Sequence, residues 1–150
     1  MSEDSSSLDI DRSEEKWSTV NDDFLEKIAA KCESETVHHQ IRGLCLKRLY
    51  YVLSLTNIVL PLLQVIPSFL NTETQTVLLY ITPMAVAFQT LLDPSRRSEN
   101  HYNFGHKYQA LYMKISKQLI RGKKFRQAFD VFLETCTVTF TNLQDIAPKN

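Results

Sequence analysis

Glycine is scarce, with three residues in 150. That scarcity excludes a glycine-rich phosphate loop, a collagen-like repeat and a glycine linker. Cysteine is equally scarce. Cys32, Cys45 and Cys136 are odd in number and far apart, which fits neither a disulfide framework nor a zinc site with paired ligands, and points to reduced thiols in a cytosol-facing protein. No basic and apolar leader opens the chain. MSEDSSSLDIDRSEE is acidic and serine-rich, so no cleaved signal peptide is expected. An excess of either charge is also missing: 17 basic residues balance 17 acidic ones, and net charge selects no partner.

Chemistry-bearing motifs are missing as well. His38, His39, His101 and His106 have no histidine at i+4 and no cysteine or carboxylate at metal-ligand spacing. No nucleophile elbow occurs. The expectation is therefore no catalytic residue, no metal and no cofactor, in a protein that is not an enzyme.

What the chain does have is an uneven distribution. Residues 1–35 hold 11 acidic residues against 4 basic, and residues 96–126 hold 9 basic residues against Glu99 alone. Between Arg48 and Glu73 lie 24 residues without charge, and between Glu73 and Asp93 lie 19 more. The mildly negative mean hydropathy averages polar arms with a very apolar middle. At 1.5 Å per helical residue the first run reaches about 36 Å, enough for a hydrocarbon core of about 30 Å with some tilt, and the second about 28 Å, just sufficient. Pro61, Pro67 and Pro83 lie inside these runs. Each would cost a soluble helix about 3 kcal/mol, whereas membrane helices tolerate proline better. The alternative is a soluble bundle around a buried hairpin. A domain of this size has too few other elements to surround a 24-residue apolar helix on every face.

These patterns predict an all-α protein. A disordered acidic tail over 1–16 precedes a domain over 17–150, with a cytosolic helix over 17–48, spans over 49–71 and 75–92, and cytosolic helices over 98–121 and 124–146. The first helix is expected to open at Ser18 or Thr19 and to present Trp17, Val20, Phe24 and Ile28, then Val37, Ile41, Leu44 and Cys45, on its apolar face. In the helix after the spans, Phe104, Tyr108, Leu111, Ile115 and Leu119 share a face, and Gly122 suits its C-terminal cap. Phe125, Phe129, Phe132, Cys136, Phe140 and Leu143 follow at heptad-like spacing. The amphipathic helices are expected to form a bundle. Lys47, Arg48, Arg96 and Arg97 flank the runs as membrane-interface basic residues, while the intervening NTET turn has no Lys or Arg. The positive-inside rule then puts both termini in the cytosol. The basic 96–126 segment, interleaved with Tyr102, Phe104, Tyr108 and Tyr112, reads as attracting anionic headgroups rather than nucleic acid.

Inside each run a small or polar stripe recurs. Ser54, Asn57, Pro61, Gln64 and Ser68 repeat at spacing 3, 4, 3, 4, and Thr76, Tyr80, Pro83, Ala87 and Thr90 at 4, 3, 4, 3. Such stripes avoid lipid. They either pack on each other within the hairpin or line a pore in an oligomer.

The junction LLDPSRRSENHYNFGHKYQALYMKISKQL resembles the signature region of the SLATT superfamily, small proteins with two transmembrane helices flanked by cytosolic helices. The resemblance rests on Asp93-Pro94, on Arg97 and His101 four apart, on Tyr108, Leu111 and Ile115, and on the closing NLQDIAP. It covers roughly residues 20–148. It implies an oligomeric membrane effector that forms a pore or perturbs the bilayer when a protein partner triggers it. Similar proteins in fungi and large DNA viruses suggest the alternative, a non-conducting anchor that presents its helical bundle to a scaffold partner.

Overall fold

A computed structural model describes residue 17 and residues 19–65, 71–122 and 125–148. The expected 1–16 tail, the Ser18 cap, Pro67 and Ser68 lie outside these residues. Among the described residues the chain is entirely helical, with α1 at Thr19–Val65, α2 at Thr72–Leu92, α3 at Pro94–Ile120 and α4 at Phe129–Ile146. Helix α1 is one helix of 47 residues, running through Lys47 and Arg48 into the first apolar run without a break. Two of the apolar segments are long and apolar enough to cross a membrane.

The chain forms two compact units, Met1–His39 with Asn103–Asn150, and Gln40–Tyr102. The first unit has a continuous core. Leu25, Ala29 and Cys32 of α1 meet Tyr108, Leu111 and Ile115 of α3 and Phe129, Phe132, Cys136 and Leu143 of α4, with Trp17 closing one end. The α3 and α4 members are those the periodicity predicts. Of the expected α1 face, Trp17 and Ile28 do pack at this core, but Leu25, Ala29 and Cys32 are not among the expected positions. Val20, Phe24 and Val37 are 72%, 48% and 49% exposed, while Leu25, Cys32, Thr36 and His39 are buried. The helix turns a face one position away from the larger apolar residues, because its inward side must fit between bulky aromatic rings. His39 lies against Phe104 and Tyr108, with ring centroids 6.0 and 5.6 Å apart. Thr36 satisfies its buried hydroxyl by donating to Cys32 O at 2.8 Å.

Arg126 closes this unit. Its guanidinium donates to Asp22 Oδ1 at 2.7 Å, to Leu119 O at 2.7 Å and to Arg121 O at 2.9 Å. The last two acceptors are carbonyls at the end of α3, which the helix itself leaves without partners. The same cation lies 4.7 Å from the Trp17 ring centroid, and Trp17 Nε1 donates to Gln127 O at 3.1 Å. Gly122 does not serve as the expected left-handed cap, since no described glycine has a positive φ. Helix α4 starts at Phe129 rather than 124, and Phe125 is 79% exposed. Lys107 and Lys114 of the basic segment lie over the Phe104 and Phe132 rings of their own unit, at 4.9 and 6.0 Å.

In the second unit α1 and α2 run antiparallel. Asn57 meets Gln89, and Gln64 meets Thr82, so the paired residue falls in α2 as it rises in α1. Helix α2 begins at Thr72, three residues before the expected 75. Asn71 caps it, with Oδ1 accepting from Thr74 N at 3.0 Å, and Glu73 lies in the first turn, where a carboxylate favours the helix dipole. The NTET segment is thus the capped start of a helix.

Candidate functional site

The seam between α1 and α2 holds Ser54, Asn57 and Gln64 of the first apolar run. Gln89 is its centre: the Asn57 amide donates to Gln89 Oε1, and Gln89 Nε2 donates to Ser54 Oγ at 3.0 Å. One helical stretch further along, Gln64 Nε2 donates to Thr82 Oγ1 at 3.0 Å. Thr82 in turn donates to Leu78 O at 2.8 Å. Ser54 and Asn57 thus share one partner on α2, and Gln64 has its own. Asn57 Oδ1 is buried without a hydrogen-bond partner among the described residues.

The partner stripe on α2 is a different one. The half-buried positions are Gln75, Leu78, Thr82, Ala85 and Gln89, with the same 3, 4 spacing as the expected set but on a neighbouring face. Thr76, Tyr80 and Thr90 are exposed. Thr76 and Thr90 return their hydroxyl protons to the carbonyls of Thr72 and Val86 at 2.9 Å. A threonine in a helix can satisfy itself in this way, so its presence says little about which face is inward. Glutamine lacks that option at short range, and Gln89 marks the seam better than any threonine does.

The junction after α2 is built around Asp93 and Pro94. Asp93 adopts φ 40, ψ 55, the left-handed conformation, and its N–H bonds back to Gln89 O. Its side chain accepts from Arg96 N at 3.4 Å. One residue thus ends α2 and caps α3, and Pro94, fully buried, occupies the first helical position, where a missing N–H costs nothing. Past this corner α3 packs on α1. Ser98, 4% exposed, donates to Gly43 O at 2.8 Å. A Cβ at Gly43 would meet the Tyr102 ring at 3.2 Å, so glycine lets the ring sit closer than a larger residue would. Periodicity does not distinguish Gly43, Ser98 and Tyr102; the signal is a glycine within a long helical pattern.

The remaining junction residues separate. Lys47, Arg48, Arg96 and Arg97 are exposed, and His101 is half-buried. Tyr108 belongs to the core of the other unit at 1% exposure, where burial, with Glu35 and Cys32 nearby, pushes its phenol up to about 12. Burial likewise pushes the Cys32 thiol up to about 11, aided by Cys136 and Glu35. Comparisons with family models, curated proteins and solved structures return no match, so geometry carries the functional reading.

Proposed function

We propose that the chain is an integral membrane protein of the SLATT type, crossing the bilayer twice through α1 and α2 with both flanks in the cytosol. One observation carries the reading: in both apolar windows no residue is buried. The core helix of a soluble protein hides such a window, and monomeric soluble proteins rarely expose contiguous apolar surface of this extent. Leu55, Ile58, Leu62, Leu79, Met84 and Leu91, each about 60% exposed or more, instead form a surface suited to lipid, while Ser54, Asn57, Gln64, Thr82 and Gln89 turn inward to one another. The test is side-specific labelling in sealed vesicles. A cysteine at Thr72 reacts from the non-cytosolic side only, and native Cys45, exposed, reacts from the cytosolic side as the internal control. Labelling of both from one side would overturn the two-span reading.

Within that reading the activity is an oligomeric effector that perturbs the bilayer or opens a pore on a protein trigger. The second reading, a non-conducting anchor for a scaffold, is favoured by the seam. Ser54, Asn57 and Gln64 bond to Gln89 and Thr82 within one chain, and neither apolar run carries a charged side chain to select ions. Dye release from liposomes carrying the full chain decides. Release that Asn57→Leu and Gln64→Leu abolish supports a conduit lined by these residues. Liposomes that stay sealed at every protein density support the anchor.

A further inference from the structure

A cleft in the second unit lies beside the Gly43–Tyr102 contact. Lys47, Tyr50 and Tyr51 of α1 line one wall, and Ser95, Glu99 and Tyr102 of α3 the other. Each set recurs at helical spacing of three and four, so each wall is one face of one helix. The volume is about 260 Å³, far more than one or two ordered waters would fill at about 30 Å³ each. The walls are held in place by the buried Ser98–Gly43 hydrogen bond and by the Tyr102 ring seated against Gly43.

The chemistry of the lining is of two signs. Lys47 is its cation and Glu99 its anion, and among the described residues neither takes part in an ion pair. A simple anion would be repelled by Glu99 and a simple cation by Lys47. A compact zwitterion meets both charges favourably. The three phenol rings add specificity, since aromatic faces attract alkylammonium groups. Ser95 lies in the first turn of α3, where the positive end of the helix dipole and a hydroxyl donor favour a phosphate.

Location narrows the ligand. Lys47 precedes the first apolar run by two residues, about 3 Å along α1, and Ser95 follows Leu92 by three residues, just past the Asp93 corner. Given the membrane reading above, on which this inference rests, the cleft opens at the level of the headgroups. We propose that it binds the phosphate–alkylammonium headgroup of a choline or ethanolamine phospholipid, with Lys47 and Ser95 on the phosphate and Glu99, Tyr50, Tyr51 and Tyr102 around the ammonium.

The experiment uses the full chain, delipidated in an uncharged detergent, with native mass spectrometry as the readout. The probes are dihexanoyl phosphatidylcholine, dihexanoyl phosphatidylglycerol and free phosphocholine. The expected result is about tenfold preference for the choline lipid over the glycerol lipid. Glu99→Gln removes that preference, and Lys47→Met weakens both lipids. Both side chains are exposed, so thermal melting should stay unchanged and a folding defect would be visible as a shift. Equal binding of the two lipids, or preferences unmoved by either variant, overturns the site. Free phosphocholine binding as tightly as the lipid overturns the lipid assignment in favour of a soluble compound with the same group. Carbonate extraction of membranes separates the two readings: a chain that extracts yet binds phosphocholine overturns the membrane reading alone, and a chain that stays embedded without headgroup preference overturns the cleft alone.

Discussion

Gln89 accepts the Asn57 amide proton across the antiparallel pair and hands one of its own to Ser54 at 3.0 Å. A side-chain amide inside an apolar hairpin has few other partners, so the two amides should be thermodynamically coupled. Asn57→Leu and Gln89→Leu are each expected to destabilise the hairpin by about 1–2 kcal/mol. The double variant should lose less than the sum, with a coupling of about 0.6–1.7 kcal/mol. Unfolding in mixed micelles of rising anionic detergent content measures all three. Strict additivity would mean that the two amides act independently.

Gly43 sets the distance between α1 and α3. Alanine requires the Tyr102 ring to give by a few tenths of an ångström, because its Cβ would sit 3.2 Å away. A mild loss is expected for Gly43→Ala, and about 1–3 kcal/mol for Gly43→Leu, as for other overpacked contacts. Tyr102→Ala should recover part of the leucine loss in thermal melting, since it removes the atoms that collide.

Arg126 carries a charge that is nearly buried, with a side chain 7% exposed, against Asp22 at 25%. Arg126→Met leaves the Asp22 carboxylate and two α3 carbonyls without their donor, at a cost of about 3 kcal/mol. Lysine should not rescue it, since one ammonium cannot reproduce the fork that reaches three acceptors. Trp17 is the sole tryptophan, 2% exposed and stacked under this cation. Its emission should therefore shift to the red in the methionine variant as water reaches the ring. An unshifted spectrum would show that the clamp does not hold the end of the core.

The buried thiols give a dependence on pH. Cys32 is pushed up to about 11 from an ordinary 9.0, first by burial, and Tyr108 to about 12 from 10.0. The folded state therefore holds both neutral where the unfolded chain would already release protons. Their contribution to stability is complete below pH 9 and is lost as pH rises through 9 to 12. Cys32→Ala should move the alkaline unfolding midpoint upward. At pH 8 only Cys45 should react readily with a thiol reagent, because Cys32 and Cys136 are both fully buried and raised in pKa by that burial. Three equal labelling rates would contradict this core.

Helix content and the α3 and α4 core faces could be read from periodicity, since Tyr108, Leu111, Ile115, Phe132, Cys136 and Leu143 are large residues with one consistent phase. Two other faces could not. On α1 the inward positions after Leu25 and Ile28 are small or polar, Ala29, Cys32, Thr36 and His39, while the bigger Val20, Phe24 and Val37 stay outside. On α2 the hydroxyls of Thr76 and Thr90 resemble interior polarity yet bond to their own backbone. The seam between α1 and α2 was legible on one side only, because asparagine and glutamine report burial in an apolar helix and threonine does not. The cleft was not legible at all. Its lining comes from two segments about fifty residues apart, and nothing local ties Lys47 to Glu99.

Asp93 fixes the angular phase of the first turns of α3. With φ at 40, a conformation that an aspartate adopts at some expense, it turns the chain once and leaves no slack before Pro94 locks the next helix. The side chains of α3 up to Tyr102 therefore inherit their direction from this corner, as teeth on one gear follow the setting of its keyway. One residue inserted after Asp93 would rotate Ser98 and Tyr102 by about 100°, away from Gly43. The corner thus tolerates changes of side chain far better than changes of length.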